Sequence, residues 1–169
     1  MTQLQPDSEV TSRIGALVSD ARIAMLTTMT ADGKHVSRPM ALQSADFDGD
    51  LWFFAYDDSS KATEIGVTPS VNVSFANTKS STWTSIAGTA ELVPDRAKME
   101  ELWSRPLQAW FPDGLDTTGI TLIRVQPDSV EFWDSPSSKV VRLLGMARAA
   151  IARDPDKFPG DNETIDLST

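Results

Sequence analysis

The chain contains no cysteine. Disulfides, thiolate metal sites, iron–sulfur clusters and a cysteine nucleophile are therefore excluded together. It has one histidine, His35, so zinc sites built on two or three imidazoles are excluded, and a serine–histidine–acid triad has a single candidate base. Cationic residues are scarce: 15 Lys and Arg stand against 24 Asp and Glu, a formal net charge of −9. With no basic run to offset it, that balance argues against nucleic acid and anionic membranes as partners. No apolar stretch approaches the roughly 20 residues that a spanning helix requires. Met1 to Glu9 carries neither the basic region nor the apolar segment of a signal peptide, and a cytoplasmic location is the expectation.

What is present is an ordinary globular composition, 40% hydrophobic and 23% charged over 169 residues. That length suits one domain, assigned to residues 1–152. The tail 153–169, rich in aspartate and poor in apolar residues, is expected to be disordered.

Apolar spacing places an amphipathic helix from Ser8 to about Asp20. From Arg22 the period falls to two. Ile23, Met25, Thr27 and Met29 then share one face, and Ala24, Leu26 and Thr28 the other. Ala31-Asp32-Gly33 turns the chain into a second strand, His35 to about Ala45, and Asp48-Gly49-Asp50 turns it again into Leu51 to Ala55. These three read as an antiparallel meander. A short helix with serine at its cap spans Ser59 to about Val67, followed by strands Val71 to Ala76 and Thr82 to Val93, where Gly88 marks a bulge or a barrel corner. Pro94-Asp95 opens a helix to about Trp103. Ser104 to Thr118 is irregular, Ile120 to Trp133 is a strand interrupted by Pro127-Asp128, and Ser137 or Ser138 caps a last helix to about Ile151. The fold class is mainly β with peripheral helices: six antiparallel strands closing into a small barrel. A Rossmann unit is disfavoured, because no Gly-x-Gly-x-x-Gly occurs and long crossover helices are missing.

Three segments could carry chemistry. In Ser37-Arg38-Pro39-Met40, proline removes a ladder hydrogen bond, and Arg38 shares a strand face with Val36, Met40 and Leu42. This is either an edge strand with a snorkelling arginine or a polar ligand site on the barrel wall. Asp57-Asp58-Ser59-Ser60-Lys61 opens a helix with hydroxyls, a lysine and unpaired N–H groups. That is a plain serine cap or the donor inventory of a phosphate, with the two aspartates counting against a phosphate on their side. Trp110-Phe111-Pro112-Asp113-Gly114 puts two aromatics in a loop, where they cover a pocket, meet another subunit or pack on their own barrel. Asp46 to Asp50 has the wrong spacing for a calcium loop. His35 reads as a surface or interface residue. No residue is singled out as a general acid or base, and no metal site is assigned.

The ordered set Arg38-Pro39-Met40, Trp52-Phe53-Phe54-Ala55, Ser59-Ser60-Lys61, Trp83 with Gly88 to Glu91, and Val130 to Asp134 resembles the flavin-binding split barrels related to pyridoxamine 5'-phosphate oxidase. With the Trp110 to Gly114 loop, it is similar to their bacterial general-stress-protein branch. The resemblance covers roughly Ser8 to Ile151. It implies a six-stranded split barrel and a homodimer with FMN in two equivalent interface sites. It further implies Arg38, Pro39, Met40, Ala41 and Leu42 along the flavin and phosphate side, with Phe53, Phe54 and Ala55 lining the ring or ribityl chain. Ser59, Ser60 and Lys61 would hold the phosphate, and Trp83 and Trp133 would approach from the partner subunit. Trp110 joins the cofactor-binding set, and the loop around it leaves open the same barrel using FAD or a deazaflavin. The implied function is an FMN-binding protein of general-stress type: a flavin-dependent oxidoreductase reduced by NADH or NADPH, or a flavin carrier or sensor without turnover. Pyridoxamine phosphate oxidation is not expected, because the oxidase's substrate-phosphate clamp has no counterpart.

Overall fold

The computed structural model describes residues 15, 23–43, 49–79, 81–134 and 161–166. The expected helices at Ser8 to Asp20 and Ser137 to Ile151 lie outside these residues, Gly15 apart, which is helical. Seven strands are seen: β1 Ile23–Met29, β2 His35–Ala41, β3 Leu51–Tyr56, β4 Ser70–Asn77, β5 Thr82–Val93, β6 Ile120–Asp134 and β7 Asp161–Asp166. Two complete helices are seen among the described residues, α1 Ser60–Val67 and α2 Arg96–Leu102, with short 3-10 turns at Arg105–Ala109 and Gly114–Asp116. Six strands form one antiparallel, curled half-barrel in the order β2-β1-β4-β5-β6-β3, as a split barrel requires, and β7 adds to β6.

The two-residue period of β1 is realised in its burial. Ala24, Leu26 and Thr28 point into the core, whereas Ile23 and Met25 face outward. Gly33 turns the β1–β2 hairpin at φ +82°, a conformation that favours glycine. The expected meander ends there. β3 does not continue alongside β2; it crosses to the far end of the sheet and pairs with β6, Leu51 opposite Val125 and Tyr56 opposite Ile120. The reason lies in its composition. Leu51, Phe53 and Ala55 enter the main core, while Trp52 and Phe54 enter a second cluster with Met99, Leu102, Leu107 and Phe111. A strand apolar on both faces is stable only where both faces are covered, and α2 with the following loop provides the second cover. One corner still closes, because the Gln43 N–H donates to the Trp52 carbonyl at 3.0 Å.

β6 runs unbroken through Pro127. Its first half is flanked by β3 and β5 and its second by β7 and β5. Residues 161–166, placed in the expected disordered tail, thus form a strand, because β3 leaves the side of β6 at Ser129–Asp134 open for a ladder. The register shift falls between Ala87 and Gly88, whose partners are Ser129 and Pro127. A Cβ at Gly88 would stand 2.4 Å from the Gln126 carbonyl oxygen, a backbone atom that cannot swing aside. Gly88→Ala should therefore lower stability by about 1–3 kcal/mol, read as a thermal midpoint several degrees below wild type. An unchanged midpoint would mean that the two strands slide apart without cost.

α2 also starts two residues later than the proline suggests. Asp95 is its cap, accepting from the N–H groups of Ala97 (2.9 Å) and Lys98 (3.2 Å), so Pro94 precedes the helix.

Candidate functional site

α1 is held by Ala62 and Ile65, both buried, and packs against β1 and β5. Ser59 occupies its cap position, but its hydroxyl turns back and donates to the Tyr56 carbonyl at 2.6 Å. The first N–H groups of the helix thus have no side-chain cap. Lys61 and Glu64, three residues apart, share a flank of the helix.

Arg38 projects toward that flank from edge strand β2. Its register partner is the fully buried Leu26, so it lies on the inward face of the sheet. Nη1 donates to Thr28 Oγ1 at 2.6 Å and Nη2 to Glu64 Oε2 at 2.9 Å. The Thr28 hydroxyl donates to the same Glu64 oxygen, which closes a triangle of three hydrogen bonds. The Arg38 and Glu64 side chains retain only 19% and 14% of their exposure, and Thr28 is buried. The Thr28 hydroxyl, and secondarily Arg38, hold the Glu64 carboxyl below the ordinary glutamate value against the opposing effect of desolvation. Burial pushes the Lys61 ammonium down, and the Arg38 charge pushes the same way, while Glu64 pulls it back up. Glu64 is ion-paired with Arg38 and attracts Lys61 without contacting it, so two cations stand near one carboxylate in a chain of net −9. Arg38 does sit on an edge strand, but its guanidinium does not snorkel to solvent: it turns inward into the polar cluster with Thr28 and Glu64.

The other expected site residues fall into separate places. Pro39 is exposed opposite Met25, and Ala41 pairs with Ile23, while Met40 and Leu42 rest against the main core. Phe53 and Ala55 are in that core and Phe54 is in the second cluster. Ser60 is exposed beside Lys61. Trp83 and Trp133 are register partners, both exposed, on the sheet face opposite Arg38. The aromatic loop divides. Phe111 is buried against Phe54 and Tyr56, whereas Trp110 is 72% exposed, with its carbonyl accepting from the Tyr56 hydroxyl at 3.0 Å. Asp57 faces Gly119, accepting no part in the cluster: its N–H donates to the Gly119 carbonyl at 2.8 Å. Within one chain, Arg38, Ser60 and Lys61 thus belong to one neighbourhood, and the three tryptophans lie outside it.

Thr28 and Glu64 were not among the expected site residues. Thr28 had a signal, as the one hydroxyl on the inward stripe Ala24, Leu26, Thr28. Glu64 had only its spacing from Lys61.

The outward face of the sheet forms a second surface. From β1 to β6 it presents Ile23, Met25, Trp83 and Trp133, all exposed. The small polar groups between them bond to one another, Thr27 to Ser37 at 2.7 Å and Asn72 Nδ2 to Ser85 Oγ at 2.8 Å. Such a face sets large exposed apolar side chains among small, mutually bonded polar groups, with the exposed Glu131 opposite Ser85, a mixture found in contact surfaces. No helix among the described residues is long and apolar enough to cross a membrane.

Residues 9–156 match the family described as pyridoxamine 5'-phosphate oxidase like. The chain is similar to protein bli-3 of Neurospora crassa, 26% identical over 163 residues that cover 91% of this chain and 78% of the fungal protein. Among solved structures, it resembles the general stress FMN/FAD binding protein of Xanthomonas citri, with a TM-score of 0.67 and 26% identity over 77% of this chain and 92% of the other. It also shares the fold of general stress protein 26 from Bacillus anthracis, with a TM-score of 0.65 and 22% identity over 73% of this chain and 93% of the other.

Proposed function

We propose that this chain, which belongs to the pyridoxamine 5'-phosphate oxidase-like family, is a cytoplasmic flavin-binding protein of general-stress type that takes FMN as a homodimer. The observation that carries this reading is the meeting of Arg38 and Lys61, from different elements, in an otherwise acidic chain. Two cations beside an uncapped helix start form a donor set that fits a phosphate: charge-assisted donors, peptide N–H groups and the exposed Ser60 hydroxyl. Lys61, Arg38 and Ser60 would hold that phosphate, and the strand from Arg38 to Leu42 would run along the ligand. The outward face, with Met25, Trp83 and Trp133, supports a two-fold contact with a second copy. In such a contact, Trp83 and Trp133 of one copy would approach the site of the other, which accounts for their separation from Arg38 within a single chain. The FMN/FAD binding of the Xanthomonas citri protein supports the choice of ligand.

A bound flavin supplies hydride and electron transfer, and the protein's part is position, electrostatics and exclusion of water. NADH or NADPH is the reductant this reading names. The first experiment is a visible absorption spectrum of the purified protein with mass identification of any released ligand, followed by titration with FMN, FAD, riboflavin and a deazaflavin. Bound FMN at two per dimer is the expected result, and failure to take up any flavin sinks the reading. Steady consumption of NADH or NADPH by the loaded protein marks an oxidoreductase. Loaded protein that neither nucleotide reduces is a carrier.

A further inference from the structure

We propose that Glu64 is a positioning residue that aims the Arg38 guanidinium at the ligand phosphate, an assignment that rests on the flavin reading and adds a residue to it. Arg38 stands on an edge strand, where a free arginine samples many rotamers and must give up that side-chain entropy to engage a ligand. In this chain that ordering is already complete. Nη1 is fixed to Thr28 and Nη2 to Glu64. Thr28 is buried in the barrel wall and bonded to the same carboxylate, so the triangle has an immobile base. A guanidinium has five N–H groups. Two are used among the described residues, which leaves three for a second acceptor.

Charge alone does not explain the arrangement. A carboxylate beside a phosphate site repels the ligand and cancels one of the two cations that would attract it. Its favourable contribution is geometric: Glu64 Oε2 accepts from two donors, Arg38 and Thr28, and holds the planar fork in one orientation. The groups facing Arg38 are Thr28 from β1 and Glu64 and Lys61 from α1.

The test is fluorescence titration of wild type and Glu64 variants with FMN and, in parallel, riboflavin. Glu64→Ala should lose FMN affinity on the order of tenfold, the size of one misaligned charge-assisted hydrogen bond, while riboflavin binding stays at the wild-type level. Glu64→Gln, whose amide oxygen can still accept from Arg38 and Thr28, should restore FMN affinity to the wild-type range or above. Glu64→Asp keeps the charge but shortens the reach, and it should behave like the alanine variant; it also serves if that variant does not fold. FMN affinity in Glu64→Ala equal to or above wild type would overturn the assignment and leave Glu64 a mere counter-charge. So would a wild-type affinity in Glu64→Asp, or equal losses of FMN and riboflavin. Wild-type protein that binds neither flavin sinks the flavin reading and this assignment with it, whereas wild-type FMN binding with any overturning variant result removes the assignment alone.

Discussion

Lys61→Ala will bind FMN about 10- to 100-fold more weakly than wild type and hold riboflavin unchanged. The two ligands share the ring system and the ribityl chain and differ in the phosphate, so the comparison isolates the group Lys61 is assigned to. A hydrogen bond to a charged partner contributes about 1.5–3 kcal/mol, which is about one to two factors of ten in affinity. The ammonium is already partly withdrawn from water and pressed by the Arg38 charge, so its proton is held less firmly than in a free lysine. A phosphate dianion at that point relieves the repulsion between the two cations, and the interaction strengthens accordingly. Isothermal titration with both ligands reads the effect. Equal losses would move Lys61 out of the phosphate site and make its burial a matter of packing.

Met25→Glu will convert the proposed dimer to a monomer. Met25 lies on the outward face between Pro39 of β2 and Ser74 of β4, and it is 40% exposed in the single chain. The isolated barrel can keep a carboxylate there in water. A two-fold contact uses the same patch on both copies, so one substitution places two like charges in the interface. Burying an unpaired charge costs several kcal/mol, and the dimer dissociation constant should rise by about a hundredfold or more. Sedimentation velocity measures this, with flavin content followed alongside. Flavin should leave with the partner if the site is shared. A variant that stays dimeric with its flavin would place the interface elsewhere, and exposed Trp110 is the next surface to examine.

Much of the fold was legible because local pattern and tertiary environment agree. The strand Thr82–Val93 has the bounds its alternation implies, and Gly88 sits at the register shift that its lack of a side chain suggests. The alternation of Ile23 to Met29 sorted inward from outward residues correctly. Strand order was less legible. Leu51 to Tyr56 follows β2 closely in sequence, and only the demand for cover on both faces sends it to β6. That demand depends on α2 and the loop after it, which no local window contains. The polar cluster shows the same limit. Arg38 and Lys61 stand out as a cation in an apolar strand and a cation at a helix start. Glu64 resembles any solvated helix residue until the fold brings Thr28 and Arg38 to it. The serine cap was right in place and wrong in chemistry, since the Ser59 hydroxyl prefers the Tyr56 carbonyl. The strand at Asp161–Asp166 is opaque for another reason: its residues carry almost no apolar signal, and what recruits it is the vacant edge of a distant strand.

The far-end placement of β3 also matters before the fold exists. Leu51-Trp-Phe-Phe-Ala-Tyr56 leaves the ribosome early, while its ladder partner Ile120–Val125 is made much later. Throughout that interval, an uncharged aromatic hexapeptide with high β-propensity has no edge of its own to join, the composition that favours strand-to-strand association between nascent chains. The acidic residues at its two borders, Asp48 and Asp50 before it and Asp57 and Asp58 after it, flank that segment with charge. Of the three that lie among the described residues, Asp50 pairs with Arg124 at 3.8 Å, and Asp57 and Asp58 are exposed. Their repulsion between copies acts on the unfinished chain and guards the route by which the native state is reached.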